Sequence, residues 1–256
     1  MALFTLCSAS GAPGVTTTAL ALTRTWSGAI AHRVALLVDA DPVGSALIPA
    51  FVEGGIPTGG GILGVAAERA ATADDVLRHA VALDESASCL ILTGVSESGQ
   101  ARPLGGVWST LVEVAHELER SGLDVIVDAG RLGHRWEPQP LIDAADVAVL
   151  VSRPTLPAVA AARTALAELR SRRLAGAATG VLVVGRPAPY SAGEVARALD
   201  AEALPELPED VWASRALSLL GPVTPRLRRS ALVRAVTQTA AALARTAAPA
   251  RQVTAP

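Results

Sequence analysis

Two groups of residues could do chemistry: a run of small and hydroxyl residues near the amino terminus, and carboxylates that follow apolar runs. The first group extends from Ser8 to Thr18, between an apolar segment (residues 2–7) and a helix-like one (residues 19–22). Small residues between a strand and a helix let successive backbone N–H groups turn inward, and the helix dipole adds about half a positive charge. The pattern predicts a loop that cradles an anion such as phosphate, with an ordinary strand-to-helix turn as the alternative.

The carboxylates lie at the ends of two apolar runs. Asp39 and Asp41 directly follow the first run, and Asp128 ends the second, two residues before Gly130. Ligand sites in open α/β sheets lie at the carboxyl ends of strands. Side chains two residues apart share one side of an extended backbone, so each could face a metal ion or water. Asp39 and Asp41 are therefore candidate catalytic residues, and their mutual repulsion predicts a nearby cation or solvent exposure.

Strand-length apolar runs alternate with segments of helical periodicity. Most of the runs are continuous, which is typical of strands buried on both faces. The predicted strands are residues 2–7, 34–38, 89–93, 125–128, 147–151 and 181–185. The predicted helices are residues 16–26, 62–67, 73–80, 107–121, 156–173, 191–199, 211–220 and 225–246. This alternation predicts a doubly wound, mostly parallel α/β sheet flanked by helices, in one domain over residues 1–246 with a disordered tail over 247–256.

Composition limits the classes of function. Hydrophobic residues make up 50% of the 256 residues but aromatic ones only 3%, as expected for a buried parallel sheet covered by alanine-rich helices. A net charge of -2 gives no global attraction to nucleic acid. No uncharged apolar stretch reaches the length of a membrane span, and no secretory signal pattern is present, so a cytoplasmic protein is expected. Cys7 and Cys89 lie in strand-like runs and are predicted to be buried free thiols.

In order and spacing, these motifs resemble the ParA/MinD superfamily of deviant-Walker P-loop ATPases. The resemblance covers about residues 1–245, and three further segments contribute to it. They are residues 145–151 with Pro154, residues 181–186, and residues 207–210, which are similar to the Pro-x-Asp segment beside the base. The resemblance implies a SIMIBI-like P-loop NTPase fold, with ATP or ADP and Mg²⁺ as cofactors.

The resemblance also implies roles for individual residues. Thr16, Asp39 and Asp128 correspond to positions that hold the Mg²⁺ ion and its water shell. The nucleotide-binding positions correspond to Gly11, Ala12, Pro13, Gly14, Val15, Thr16, Thr17, Arg186, Pro208 and Asp210.

The chain departs from the family pattern at its cations. All 22 basic residues are arginines, so no lysine is available anywhere in the chain. Ser10 stands in place of the family's signature lysine and Val15 in place of its Walker lysine, while Gly185 stands where an adenine-reading asparagine is usual. Arg131 and Arg153 are candidates for a substitute cation, and plain surface arginines are the alternative. Since phosphoryl transfer depends on electrostatic stabilisation, whether the chain is an ATPase stays open.

Three hypotheses follow from these departures. The first is a ParA/MinD-like nucleotide-binding factor with impaired or absent ATP hydrolysis. It would position or regulate a cell-envelope, pilus or secretion assembly, and the nearest resemblance within the superfamily is to the pilus-assembly CpaE/TadZ-like branch. The alternatives are a pseudo-ATPase scaffold that binds no nucleotide and an active partition or septum-site ATPase. A homodimer and a protein partner in a membrane-associated or polar assembly are expected, with peripheral membrane placement through that partner and no strong DNA or membrane signal.

Overall fold

A computed structural model describes residues 3–11, 13–44, 60–68, 70–174, 177–186, 189–218 and 223–247. Eight strands form one sheet in the order β3-β4-β2-β5-β1-β6-β7-β8. They are β1 (Leu3–Ser8), β2 (Val34–Asp39), β3 (Val81–Ala82), β4 (Cys89–Leu92), β5 (Leu123–Arg131), β6 (Val147–Ser152), β7 (Ala178–Val183) and β8 (Glu202–Ala203). Every neighbouring pair is parallel except the short β3–β4 pair.

Helices connect the strands and cover both faces of the sheet. They are α1 (Val15–Ala29), α2 (Gly61–Ala67), α3 (Ala73–His79), α4 (Gly105–Arg120), α5 (Gln139–Asp143), α6 (Leu156–Arg172), α7 (Ala192–Ala198), α8 (Val211–Ser218), α9 (Pro225–Arg228) and α10 (Ala231–Ala247). A 3₁₀ helix, Ser98–Leu104, precedes α4. Within the described ranges, no helix is both long and apolar enough to cross a bilayer.

The central strands are buried on both faces, and successive residues point to opposite sides. In β1, Leu3 and Cys7 join the apolar layer under α4 and α6, whereas Phe4 and Leu6 join the layer under α1 and α10. A strand made of a continuous apolar run therefore contributes side chains to the apolar layers on both faces of the sheet. The two cysteines are buried free thiols, as predicted, and burial raises the pKa of each to about 12.

The predicted fold class is confirmed, while several element boundaries were wrong. Strand β7 begins at Ala178, because Thr179 and Gly180 pair with β6 despite their low apolar signal. The predicted last helix divides into α9 and α10, with Arg229 and Ser230 between them. The two-residue strands β3 and β8 and the five-residue α5 are too short to produce a periodic signal. Residues 248–256, most of the predicted tail, lie outside the described part of the chain.

A buried polar network fixes the distal half of α1 against β5. The fully buried Trp26 packs on Phe4, with 5.1 Å between ring centroids, and its Nε1 donates to Asp124 Oδ2 at 2.9 Å. Arg33 Nε donates to the same oxygen at 2.8 Å, and its second arm pairs with Oδ1 of Asp124. The carboxylate is buried, so these donors replace the water that it loses. The network sets the position of α1 and therefore of the loop at its other end.

Replacing Trp26 with phenylalanine should destabilise the fold through this network. The change keeps an aromatic ring beside Phe4 but removes one donor from a buried carboxylate, a loss of about 1–3 kcal/mol. Trp108→Phe is the control, because Trp108 is also buried but its indole donates no hydrogen bond to a described residue. Urea unfolding should show a lower midpoint for Trp26→Phe than for Trp108→Phe. Equal midpoints would mean that the indole donor contributes nothing.

Candidate functional site

The predicted carboxylates and the small-residue loop meet at one edge of the sheet. Strands β2 and β5 pair in a register that sets Asp39 opposite Asp128, and β1 pairs Leu6 with Asp128. The chain leaves β1 at Ser8 and enters α1 at Val15, and the Thr16 side chain in the first turn of α1 hydrogen-bonds Asp128. Three parallel strands thus end at one place, as ligand sites of open α/β sheets require.

The loop ends in a geometry that only glycine adopts easily. Gly14 caps α1 in the left-handed region, with φ of 106°, and its carbonyl accepts from Thr18 N–H at 2.9 Å. Among the described residues no side chain caps the start of α1, and its first turn holds no acidic residue. The positive end of the helix is thus open toward an anion. Ala12, one of the predicted nucleotide-binding residues, lies outside the described residues, and Gly11 is exposed while Pro13 is buried.

Asp128 has a strongly raised pKa. Its side chain is fully buried, and burial raises the pKa of Asp128 to about 6, with a further upward push from the Asp41 charge. Hydrogen bonds from the Thr16 side chain and the Gly130 backbone act in the opposite direction, the latter reaching Oδ1 at 3.0 Å. The other oxygen, Oδ2, is buried and accepts no hydrogen bond from any described residue. Such an oxygen calls for a proton or a cation.

Two glycines leave room for the other two carboxylates. A Cβ at Gly130, where φ is 64°, would lie 2.4 Å from Cγ of Asp41. A Cβ at Gly94 would lie 2.6 Å from the Asp39 backbone oxygen and 2.9 Å from its Cγ. Real Cβ contacts do not occur at these distances, so both positions require glycine. Gly94 was missed in the sequence, where its only signal is a glycine directly after a predicted strand.

The donor set at this edge fits Mg²⁺. Carboxylate and hydroxyl oxygens are its preferred ligands, and it usually keeps several waters while one or two carboxylates hold it beside substrate phosphates. Asp128 supplies the buried oxygen, and Thr16 lies within hydrogen-bonding reach of the same carboxylate. In the described residues, no cluster of three or more His, Cys, Asp or Glu side chains could form a metal cage.

A cavity of about 360 Å³ extends from the loop toward the segment before α8. Four predicted nucleotide-binding residues line it, namely Gly14, Thr17, Pro208 and Asp210. Arg153, at the end of β6, and Val184, after β7, also line it. Arg186 is exposed and lies outside the cavity wall, as does the exposed Arg131. Of the two arginines considered as substitute cations, the structure therefore brings only Arg153 to the cavity.

Val15 has a different environment from that of a phosphate-binding lysine. Its side chain is only 6% exposed and packs in the apolar layer under α1. An apolar side chain at this position extends the core to the very start of the helix. The loop therefore presents backbone N–H groups and the Thr16 and Thr17 hydroxyls, with no charged group of its own.

Several solved structures have an architecture similar to that of this chain. A scan against protein-family models gives no match, and neither does a comparison with curated proteins. The MinD cell division protein of Aquifex aeolicus aligns with a TM-score of 0.72 and 20% identity, over 95% of this chain and 97% of that chain. A ParA family ATPase of Chlorobium tepidum aligns with a TM-score of 0.75 and 14% identity, over 93% and 98%. The septum site-determining protein MinD of Pyrococcus horikoshii, complexed with Mg-ADP, aligns with a TM-score of 0.66 and 19% identity, over 93% of either chain.

These alignments define the class of architecture. The chain has the P-loop NTPase fold seen in MinD and ParA ATPases, with its sheet and helices matched along nearly the whole length of each structure. At these identities the likeness establishes the fold alone.

Asp128→Asn should stabilise the ligand-free protein at neutral pH. The carboxyl has a pKa of about 6 when folded and 3.8 ordinarily, so between these values the folded state binds the extra proton and stability falls as pH rises. Above pH 6 the buried charge costs on the order of 3 kcal/mol, which the amide removes. Below pH 4 both states are protonated and the gain should vanish.

Urea unfolding in EDTA at pH 8 and pH 4 measures this effect. The exposed Asp74→Asn is the control and should behave like the parent protein at both pH values. A stability difference between Asp128→Asn and the parent that stays the same at both pH values would contradict the assigned titration.

Proposed function

We propose that the protein binds a purine nucleoside di- or triphosphate with Mg²⁺ and acts as a positioning or regulatory factor for a cell-envelope, pilus or secretion assembly. The observation that carries the proposal is the buried Asp128 carboxylate, one oxygen of which accepts no hydrogen bond from a described residue. This carboxylate lies beside Thr16, near a helix start that no described side chain caps. The likeness to a MinD complexed with Mg-ADP supports the same ligand class. The resemblance of the motifs to the pilus-assembly CpaE/TadZ-like branch favours a pilus assembly over the other two.

Each residue would contribute a distinct interaction with the ligand. Asp128 and the Thr16 hydroxyl would hold the metal, with Asp39 beside them at the end of β2. Backbone N–H groups at the start of α1 would donate to phosphate oxygens, aided by the helix dipole. Mg²⁺ when bound would supply charge neutralisation between the carboxylates and the phosphates. Asp41, close over Gly130, is placed to orient water near that edge.

Hydrolysis should be slow because the loop carries no cation. In phosphoryl transfer, catalysis is mainly positioning and electrostatic stabilisation of charge. Loss of one such stabilising group costs about 10²-fold or more in rate. With Val15 buried in the core, the chain offers backbone dipoles at this position instead of an ammonium group. A factor that binds nucleotide and rarely hydrolyses it fits this site better than a partition ATPase.

The alternative function is a pseudo-ATPase scaffold that binds no nucleotide. The burial of Val15 in the apolar layer favours it, since this position has become part of the core. The unsatisfied oxygen of Asp128 favours binding, because a scaffold gains nothing from the cost of burying that charge. In either case we propose a homodimer that acts through a protein partner.

Thr16→Ala should weaken Mg²⁺-dependent nucleotide binding. The variant loses the hydroxyl beside Asp128, whereas Thr16→Ser keeps it and serves as the matched control. Calorimetric titration with Mg-ADP and Mg-GDP, repeated in EDTA, measures the magnesium-dependent part of the affinity. We expect that part to fall about tenfold in Thr16→Ala and to persist in Thr16→Ser. Absence of any heat with the parent protein at millimolar Mg-nucleotide would instead support the scaffold.

Val15→Lys should strengthen nucleotide binding. The ammonium group would begin at the first residue of α1 and could reach phosphates held by the loop. Val15→Met is the control, because its chain is also long and unbranched but carries no charge. Nucleotide affinity should rise for the lysine variant alone, and it should rise more for triphosphates than for diphosphates. Equal affinities for both variants, with the fold intact by circular dichroism, would mean that the loop does not cradle phosphate.

A further inference from the structure

The cavity beside the loop is the place for the part of a nucleotide beyond its phosphates. It begins at Gly14 and Thr17, so a ligand with its phosphates at the start of α1 would extend its base into this space. Its volume of about 360 Å³ lies within the range of small-molecule sites. The polar side chains of the wall therefore bear on which base fits. This step rests on the proposed function, because it assumes that the loop holds phosphates.

Arg153 lies where a side chain at Gly185, just after β7, would otherwise project. A Cβ atom at Gly185, where φ is 132°, would lie only 3.3 Å from Nη1 of Arg153 and 3.5 Å from Cδ of Pro154. Glycine at this position thus leaves room for the guanidinium. Arg153 is half-buried, yet its guanidinium forms no ion pair or hydrogen bond with any described residue. Its five N–H groups can only donate, so it needs a ligand that presents acceptors.

The segment before α8 contributes hydrogen-bond acceptors to the same cavity. Asp210 and Glu209 line the same cavity and can only accept hydrogen bonds when ionised. Asp210 Oδ1 already accepts from Ala213 N–H at 2.9 Å, which holds the carboxylate at the start of α8. No ion pair joins Arg153 to either carboxylate in the described structure. The lining of the cavity therefore includes both a donor-only side chain and acceptor-only side chains, which do not pair with each other in the described structure. The cavity's other arginine, Arg215, is exposed.

We infer that this cavity selects guanine over adenine, with Arg153 as the residue that determines the choice. Guanine presents two acceptors, O6 and N7, on one edge, and arginine binds this pair with two parallel hydrogen bonds. Its N1–H and 2-amino group are donors that suit a carboxylate. Adenine presents an acceptor and an amino donor on the corresponding edge, so one arm of the guanidinium would face another donor. The base implied by the family resemblance is adenine, and the side chains of this cavity favour the other purine.

The test compares Mg-GDP and Mg-ADP on the parent protein and on Arg153→Gln by calorimetric titration. The parent should bind GDP roughly tenfold or more tightly than ADP, the discrimination expected of one bidentate pair. A glutamine amide offers one acceptor and one donor and matches adenine instead. Arg153→Gln should therefore lose GDP affinity while its ADP affinity stays equal or rises. Arg120→Gln is the control, since Arg120 is exposed at the end of α4, outside the cavity lining, and should leave both affinities unchanged.

Inosine diphosphate separates the contribution of Arg153 from that of the carboxylates. It keeps O6, N7 and N1–H but lacks the 2-amino group, so it should retain the effect of Arg153→Gln and bind more weakly than GDP. Tighter binding of ADP than GDP by the parent protein, or an unchanged ratio in Arg153→Gln, would overturn the inference while leaving nucleotide binding established. If neither diphosphate binds the folded parent protein, the proposed function fails and the inference fails with it.

Discussion

The pairing of β2 with β5 sets two carboxylates opposite each other at a buried sheet edge. Asp39 and Asp128 are each almost inaccessible, and burial alone disfavours the charged form of an acid. Asp41 adds a third negative charge over Gly130. For Asp128, hydrogen bonds from Thr16 and the Gly130 backbone lessen this cost. A cation from outside the chain would satisfy the site, so the metal binding that we propose follows from how the strands pair.

Strand β5 carries a second buried carboxylate, Asp124, whose partners differ from those of Asp128. Asp124, near the start of the same strand, is also buried, but the chain supplies Arg33 and the Trp26 indole as its partners. Asp128, near the end of the strand, has no arginine partner in the described structure and keeps one oxygen unsatisfied. The first carboxylate is neutralised within the fold and anchors α1. In the proposed function the second carboxylate binds the metal, so one strand would hold both the anchor of the helix and the acid of the site.

The fold was predictable because the apolar runs of its main strands are continuous in the sequence. Six apolar runs of strand length separated by helical segments leave few alternatives to a parallel sheet, and the ends of those runs located Asp39, Asp41 and Asp128. Contacts between distant segments were not predictable in this way. Gly94 lies against Asp39, and the Arg153 guanidinium lies against Gly185, yet the two residues of each pair are distant in sequence. The burial of Val15 was equally hidden, since a valine at a helix start can face the core or the loop.

The arginine in the cavity and the missing lysine in the loop have different consequences. A lysine at the start of α1 would be a compact point charge beside the phosphates, where charge develops during phosphoryl transfer. Arg153 instead reaches the cavity from the end of β6, with a planar guanidinium suited to paired acceptors on a flat group. In the proposed scheme the cation serves base recognition more than catalysis. The site would then gain affinity for a chosen nucleotide while its transition state remains poorly stabilised, which is the balance that a slow nucleotide-dependent switch requires.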